Sequence, residues 1–377
     1  MKNIRNILMV LLVAILAVSG AACNIFSKYF DEVAAYSFWD NEAHQSIPQY
    51  RQYEIMDDFL SEGTITNGRC IGSDGKVRKV LFLGWDGARA DAMLNIFFNE
   101  NNPSDNGINH EVSEYSGLHT LKKTGGLYLA YAGGEKGKDS QQNTSTSPGW
   151  TTALTGGWNT LHGIKTNDDS KTGGETIMLK YAKLGLDTSF VFDWDQYFDV
   201  NLKDEVSYLL ENPSVPMSMR DIDRIKTDDY SELDTRAASP EHYNLVAGDH
   251  LPENARYDIA VKEYIAERIE AGDDIVVGIF ESADANGHNA GFSNENPGYV
   301  NGVRNSDLYL HSLLQIIEER ENSMDEDWLV LVAADHGGIG KGHGRQTCEE
   351  RTIWVACNKP VNEKYFGMNY DGTREND

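Results

Sequence analysis

Short apolar runs alternate with amphipathic stretches along most of this chain. The runs are nearly continuous, which is typical of strands buried on both faces of a parallel sheet. They lie at 79–85, 127–131, 188–192, 274–280 and 328–334. Apolar residues recur at helical spacing between them, at 177–184, 257–271 and 303–320. The alternation predicts an α/β domain, a three-layer α/β/α architecture with a mostly parallel central sheet.

Two segments interrupt this alternation. Residues 193–252 are polar and acidic, with prolines that break long periodicity, and we predict an insertion over the edge of the sheet that either shapes substrate access or is a plain surface excursion. Residues 23–75 are rich in aromatic and acidic side chains and are predicted to form a tether whose aromatics pack on the domain. The α/β domain itself is predicted to span residues 76–377.

Residues 1–22 read as a signal segment. Lys2 and Arg5 give it a positive start, and the apolar run at 7–18 is too short for a comfortable membrane span. Small residues then precede Cys23, as in a bacterial lipoprotein signal whose cysteine becomes lipidated. The expected location is therefore extracytoplasmic, with either membrane anchoring through Cys23 or plain secretion.

Composition and charge mainly exclude functions. The formal net charge is -26 and the pI is about 4.7, so the chain lacks the basic face that binding to a nucleic-acid backbone requires. Four cysteines occur, Cys23, Cys70, Cys348 and Cys357, and no C-x-x-C pair suggests a thiolate metal site. Some of the many carboxylates are candidates for metal ligands instead.

Three of the apolar runs end in a carboxylate, namely Asp86, Asp284 and Asp335. Histidines come close behind two of these ends, at His288, His336 and His343. Because the carboxyl ends of parallel strands share one edge of a sheet, we expect these side chains to converge. A single aspartate there could simply cap a helix, but three together require cations, and mixed His/Asp ligation suits zinc.

Thr146 is the candidate nucleophile. It precedes Pro148 and a small-residue helical run at 150–155 that ends in Gly156, and the N–H groups at a helix start attract anions such as phosphate. Alone, this stretch could equally be a Ser/Thr-rich loop that caps an ordinary helix. The strand-end carboxylates and histidines favour a metal-assisted hydrolase, in which a metal ion at Thr146 Oγ helps to remove its proton.

These motifs together resemble the alkaline phosphatase superfamily, and most closely its nucleotide pyrophosphatase/phosphodiesterase branch. In chain order they are Asp86-Gly87, Thr146-Ser147-Pro148, Thr155-Gly156, His162-Gly163-Ile164 with Asn167, Asp284-x-x-Gly287-His288, Asp335-His336-Gly337 and Gly342-His343-Gly344. The resemblance covers residues 77 to about 357. It implies an alkaline phosphatase-like fold with two zinc ions and a phosphothreonine intermediate at Thr146.

The resemblance also implies a role for each residue. One zinc would be held by Asp284, His288 and His343, and the other by Asp86, Asp335 and His336 with Thr146 beside it. Asn167, together with the backbone N–H after the nucleophile, would stabilise a phosphoryl oxygen. Ser147 replaces the aromatic residue that stacks on the base in nucleotide-cleaving members, which leaves a nucleotide substrate in doubt.

The expected function is that of an exported, metal-dependent phosphoric ester hydrolase that acts on a small-molecule phosphodiester. Two alternatives stay open from the sequence. One is a phosphomonoesterase on the same scaffold. The other, from a different class, is a catalytically inactive surface binding protein that keeps the metals for structure alone.

Overall fold

A computed structural model describes residues 40, 45–98, 115–194, 196–222 and 253–369. Within these residues, eleven strands form one sheet. They are β1 Gln45–Pro48, β2 Thr64–Thr66, β3 Arg69–Ile71, β4 Val77–Trp85, β5 Gly126–Tyr131, β6 Thr188–Phe192, β7 Met217–Asp221, β8 Ile275–Phe280, β9 Glu326–Ala333, β10 Thr352–Cys357 and β11 Met368–Asn369. The signal segment, Cys23 and residues 24–39 of the predicted tether lie outside the described residues.

The strand order is β11-β1-β5-β10-β9-β4-β8-β6-β7, with β2 and β3 attached beside β4. The five strands from β9 to β7 all pair in parallel, as do β1 and β5. The apolar run of β10 was not predicted as a strand, and it pairs antiparallel with both β5 and β9. The predicted α/β class with a mostly parallel central sheet is therefore confirmed.

Helices connect the strands and pack on the sheet. They are α1 Arg51–Ser61, α2 Ala90–Phe97, α3 Gly117–Thr124, α4 Thr146–Thr155, α5 Asn159–His162, α6 Ile177–Ala182, α7 Lys203–Glu211, α8 Glu253–Ala271, α9 Ser282–Ala290, α10 Pro297–Met324 and α11 Cys348–Arg351, with a π-helix at Tyr197–Asn201 and a 3-10 helix at Glu363–Tyr365. Among the described residues, no helix combines the length and apolar character that a membrane span requires.

The predicted insertion at 193–252 differs from what the structure contains. It begins with the π-helix and α7, and β7 then pairs in parallel with β6 at the edge of the sheet. Pro213 and Pro216 precede this strand at the sheet edge, where proline is tolerated. Residues 223–252 lie outside the described part of the chain.

Part of the predicted tether also belongs to the sheet. Strand β1 lies between β11 and β5, and helix α1 packs against α4 and β4. Met56 and Leu60 of α1 are buried in the main core, and Tyr53 and Phe59 pack against it, in agreement with the expected packing of aromatics. Residues 45–71 therefore form part of the α/β unit. None of the three described cysteines forms a disulfide.

Candidate active site

The carboxyl ends of three parallel strands meet at one edge of the sheet. Strand β4 pairs with β8 on one side and β9 on the other, so Asp86, which follows β4, lies between the two neighbouring strand ends. Asp335 comes shortly after β9, and Asp284 lies in the first turn of α9, just beyond β8. The convergence expected from the sequence is thus present in the fold.

Asp86, Asp335 and His336 form the first group, which we call the buried cluster. Their ligand atoms all lie within 4.8 Å of one another, and the three side chains are wholly buried. The imidazole Nε2 of His336 lies 3.4 Å from Asp86 Oδ1 and 3.3 Å from Asp335 Oδ2. Two carboxylates and one ring nitrogen therefore face a common point.

In each side chain of the buried cluster, one polar atom forms hydrogen bonds and a second polar atom faces the common point. Asp86 Oδ2 accepts a hydrogen bond from the indole of Trp150 at 2.9 Å, and Asp335 Oδ1 accepts from the N–H groups of Gly87 and His336. The Nδ1 of His336 donates to the carbonyl of Gly337. Within the described part of the chain, the remaining atoms Asp86 Oδ1, Asp335 Oδ2 and His336 Nε2 are buried without a hydrogen bond.

The pKa values of two residues in the buried cluster are shifted in a way that favours binding of a cation. Burial, reinforced by Asp86, raises the pKa of Asp335 well above its usual range. Burial lowers the pKa of His336, but Asp335 and Asp86 outweigh it and the pKa rises to about 10. Without a cation the cluster holds protons, and a divalent ion would displace them.

Asp284, His288 and His343 form the second group, the exposed cluster. Asp284 and His288 lie one turn apart on α9 and so share a face, with His288 Nε2 3.3 Å from Asp284 Oδ2. His343, from the loop after β9, places its Nε2 3.5 Å from Asp284 Oδ1 and 3.0 Å from His288 Nε2. The ligand atoms again lie within 4.8 Å of one another.

The two histidines of the exposed cluster have opposite pKa shifts. A hydrogen bond to Asp284 raises the pKa of His288 to about 9. Burial, together with His336, lowers the pKa of His343 to about 3. The second imidazole is therefore neutral at physiological pH and can offer a lone pair.

The residues of both clusters fit a zinc-type ion. All three histidines direct Nδ1 at a backbone carbonyl, which can only accept, so Nδ1 carries the proton and Nε2 faces the cluster as a ligand. Among the described residues, Asp284 Oδ1 is also buried without a hydrogen bond, like the three unsatisfied atoms of the buried cluster. Imidazole nitrogen mixed with carboxylate oxygen is the donor set that zinc accepts.

The two clusters adjoin. The rings of His336 and His343 stack with centroids 3.9 Å apart and an angle of 23° between their planes. Gly87 lies between the clusters, since its N–H donates to Asp335 and a Cβ built on it would lie 2.8 Å from Asp284 Oδ1. Two ions bound here would be close neighbours, as in sites that clamp a phosphoryl group.

Thr146 opens helix α4, which begins four residues earlier than the predicted helical run and ends at Gly156 in the left-handed conformation. Two residues before Thr146, the carbonyl of Thr144 accepts the Nδ1–H of His343 at 3.0 Å. Three residues after it, a Cβ built on Gly149 would lie 2.8 Å from Asp335 Cβ. The segment that carries Thr146 therefore contacts both clusters.

Asn167 lies beside the first turn of α4, but not in the expected arrangement. Its Oδ1 accepts the backbone N–H of Ser147 at 2.9 Å, so that N–H is already engaged within the protein. We expected this N–H to bind a phosphoryl oxygen. Because the carbonyl side of the amide accepts the bond, the NH2 side of Asn167 is left as the donor.

Sequence reasoning missed four residues around this site. The indole of Trp150 contacts Asp86, and Asn201 of the π-helix donates to the Ser147 carbonyl and to Thr151. The hydroxyl of Tyr197 donates to Glu281. Glu281 had a signal, since it directly follows β8 as Asp86 follows β4.

Tyr197 and Glu281 both titrate far from their usual range. Burial, followed by Asp86, raises the pKa of Glu281, and burial, followed by Glu281, raises that of Tyr197. Neither Tyr197 nor Asn201 had a sequence signal, because both lie in the stretch predicted as an insertion.

Comparison with protein families gave one family match. A family model described as type I phosphodiesterase / nucleotide pyrophosphatase matches residues 120–340, more than half of the 377 residues. The match includes Thr146, Asn167, Asp284, His288 and Asp335. A search among curated proteins gave no match.

Solved structures similar to this chain have low sequence identity to it. Phosphonoacetate hydrolase from Sinorhizobium meliloti is 15% identical with a TM-score of 0.42, over 73% of this chain and 59% of that protein. Alkaline phosphatase from the Antarctic bacterium TAB5 is 12% identical with a TM-score of 0.42, over 78% and 94%. Murine ectonucleotide pyrophosphatase / phosphodiesterase 5 is 17% identical with a TM-score of 0.39, over 69% and 57%.

Proposed function

Because this chain belongs to the type I phosphodiesterase / nucleotide pyrophosphatase family, we propose that it is a metal-dependent phosphoric ester hydrolase that acts on small phosphodiesters. One observation supports this most directly. Two adjoining clusters of aspartate and histidine, with four buried ligand atoms that lack hydrogen bonds among the described residues, lie beside the helix start that carries Thr146. Structural ion pairs do not need such unsatisfied atoms, whereas metal sites do.

The proposed cofactors are two zinc ions, one in each cluster. Asp284, His288 and His343 would hold one, and Asp86, Asp335 and His336 would hold the other. When bound, the two ions would supply the positive charge that lowers the pKa of the Thr146 hydroxyl and neutralises the oxygens of the phosphoryl group. Thr146 would also contribute its Oγ as a ligand on the side of the buried cluster.

The residues of the chain would then act as follows. Thr146 Oγ forms a bond to phosphorus while the bond to the leaving oxygen breaks, and the threonine proton ends on the released alcohol. Asn167 would donate its NH2 group to a phosphoryl oxygen, and the start of α4 adds the positive end of its dipole. Water then cleaves the phosphothreonine, which restores the Thr146 hydroxyl and releases a phosphomonoester.

Hydrolysis of two chromogenic esters tests this proposal. The full chain is supplied with zinc, and turnover of bis-p-nitrophenyl phosphate is compared with that of p-nitrophenyl phosphate. We expect the diester to be favoured, and Thr146→Ala to lower turnover by at least about a thousandfold while zinc content stays the same. Thr155→Ala is the control, since the buried hydroxyl of Thr155, on the same helix, donates to the Thr151 carbonyl and to no other group in the described part of the chain.

Each contrary result has a distinct meaning. Preference for the monoester would replace the proposal with a phosphomonoesterase. Bound zinc without turnover of either ester would favour an inactive binding protein. Full activity in Thr146→Ala would contradict the phosphothreonine route.

We further propose that the protein is exported and anchored through lipidated Cys23. The support is the order of positive, apolar and small residues before that cysteine. Expression of Cys23→Ala in a bacterial host tests this proposal. The variant should leave the membrane fraction, and unchanged membrane association would contradict lipidation at Cys23.

A further inference from the structure

Trp150 contacts a proposed metal ligand from the helix that carries the nucleophile. Its side chain is fully buried, and its Nε1–H donates to Asp86 Oδ2 at 2.9 Å. The other oxygen, Asp86 Oδ1, lies 3.4 Å from His336 Nε2 in the buried cluster. The indole thus determines which oxygen of Asp86 faces the metal position.

The orientation of this indole is fixed by its surroundings. It fills the space above Gly84 of β4, where an added Cβ would lie 2.5 Å from its Cη2 atom. Phe82, on the same strand, meets it edge to face with ring centroids 6.1 Å apart. Strand β4 also leads directly into Asp86. The Trp150 ring packs against this strand and the Asp86 carboxylate follows it, so one rigid element fixes their relative position.

The position of Trp150 along α4 also relates it to Thr146. It comes four residues after Thr146, so the two lie on the same face of the helix, one turn apart. We propose that Trp150 is a positioning residue: its N–H holds Asp86 in the orientation that binds metal and links the nucleophile's helix to that metal. This inference rests on the proposed function, since it concerns the ion of the buried cluster.

Packing alone does not require this hydrogen bond. A phenylalanine ring would fill most of the same apolar space, but it would leave Asp86 Oδ2 buried without a donor. A carboxylate that loses its donor can rotate, and loss of such a partner typically weakens metal affinity by about 10- to 100-fold. The effect expected of Trp150 is therefore on metal binding rather than on folding alone.

The experiment compares zinc affinity in two matched tryptophan variants. Both are made in the full chain carrying His288→Ala, which disables the exposed cluster so that only the buried cluster binds zinc. Trp150→Phe removes the N–H bonded to Asp86. Trp328→Phe is the control, since that buried indole donates in the same way to a carboxylate, Glu326 Oε2 at 2.8 Å, outside both clusters. Zinc dissociation constants are measured by competition with a chromophoric chelator.

We expect Trp150→Phe to bind zinc about 10- to 100-fold more weakly than its parent, and Trp328→Phe to match the parent. Equal affinity in Trp150→Phe and the parent would overturn the inference, as would an equal loss in both variants. If Trp150→Phe does not fold, benzothienylalanine at position 150 replaces the N–H by sulfur at nearly constant shape, with the same two outcomes.

The same experiment distinguishes failure of the proposed function from failure of the role of Trp150. If the His288→Ala parent binds no zinc, the proposed metal site is wrong and the inference falls with it. If the parent binds zinc and the wild-type chain hydrolyses the diester, an unchanged affinity in Trp150→Phe overturns only the role of Trp150.

Discussion

Single residues set the spacing of the two clusters, and Gly87 is one of them. Its φ of 65° lies in the left-handed region, and an added Cβ would lie 2.8 Å from Asp284 Oδ1 and 3.0 Å from Asp284 Cα. Its N–H also donates to Asp335. Only glycine lets the backbone pass this close to the Asp284 carboxylate while its N–H donates to the Asp335 carboxylate.

Gly87→Ala should therefore impair metal binding as well as stability. The left-handed conformation costs an alanine about 1–2 kcal/mol, and the clash displaces Asp284 from the exposed cluster. Gly137→Ala is the matched control, because Gly137 has a similar φ of 74° and no described atom lies within 4 Å of an added Cβ. We expect both variants to lose stability in denaturant, Gly87→Ala the more because of its clash with Asp284, and only Gly87→Ala to lose zinc and activity. Retention of zinc in Gly87→Ala would contradict this account.

At the scale of elements, the start of α4 is held from the side by the π-helix Tyr197–Asn201. Asn201 is buried, and its NH2 group donates to the Ser147 carbonyl at 3.0 Å and to Thr151 Oγ1 at 2.7 Å. π-helices are rare and often occur at functional sites. The π-helix therefore links two parts of the site: Asn201 holds the first turn of α4, and Tyr197 donates to Glu281.

Asn201→Ala should lower kcat by roughly tenfold to a hundredfold, because the first turn of α4 loses its lateral support and small displacements of a nucleophile are costly. The zinc content should not change, since Asn201 contacts neither cluster in the described structure. Asn212→Ala is the control, because among the described residues the side-chain amide of Asn212 bonds only the Tyr208 carbonyl of α7. Equal kinetics in the two variants would show that the π-helix does not position Thr146.

At the scale of the whole molecule, the fold gathers acidic groups in a protein that already carries a net charge of -26. Asp86 and Asp335 are wholly buried at one sheet edge, with Glu281 and Asp284 beside them. Their mutual repulsion opposes folding unless protons or cations compensate it. Bound metal should thus contribute to the stability of the entire domain.

Removal of metal should make stability strongly dependent on pH. The folded-state pKa of Asp335 lies well above its usual value, and that of His336 rises to about 10. Between pH 6.5 and about 10 the metal-free folded protein binds more protons than the unfolded chain, so its stability falls as the pH rises. Metal binding requires the same groups without protons, and the loaded protein should resist this loss.

Thermal unfolding of chelated and zinc-loaded protein from pH 6.5 to 9.5 tests this expectation. The difference between their midpoints should widen steadily with pH. A constant difference would mean that the buried cluster does not take up protons when the metal leaves. The lysine–carboxylate pair Lys171–Glu205, also fully buried, is present in both forms and so does not affect the comparison.

Much of the fold was predictable from local pattern. Buried parallel strands have continuous apolar runs, and the bounds of β4, β6 and β8 differ from the predicted runs by two residues at most. The apolar run of β10 has the same local signal and was nevertheless not predicted, whereas its antiparallel pairing with β5 and β9 depends on distant segments and has no local signal. Strand β7 was missed because its partly polar residues reflect a position at the edge of the sheet.

The sequence by itself determined which side chains stand at the ends of β4, β8 and β9, because strand ends and motif spacing are local properties. It thereby placed Asp86, Asp284 and Asp335 at one edge of the sheet. Tertiary structure alone decided the contacts between distant segments: Trp150 with Asp86, Asn201 with Ser147, and His343 with Thr144. Such contacts depend on how helices pack across strands, and side-chain geometry between residues 54 to 199 positions apart is not encoded in any local pattern.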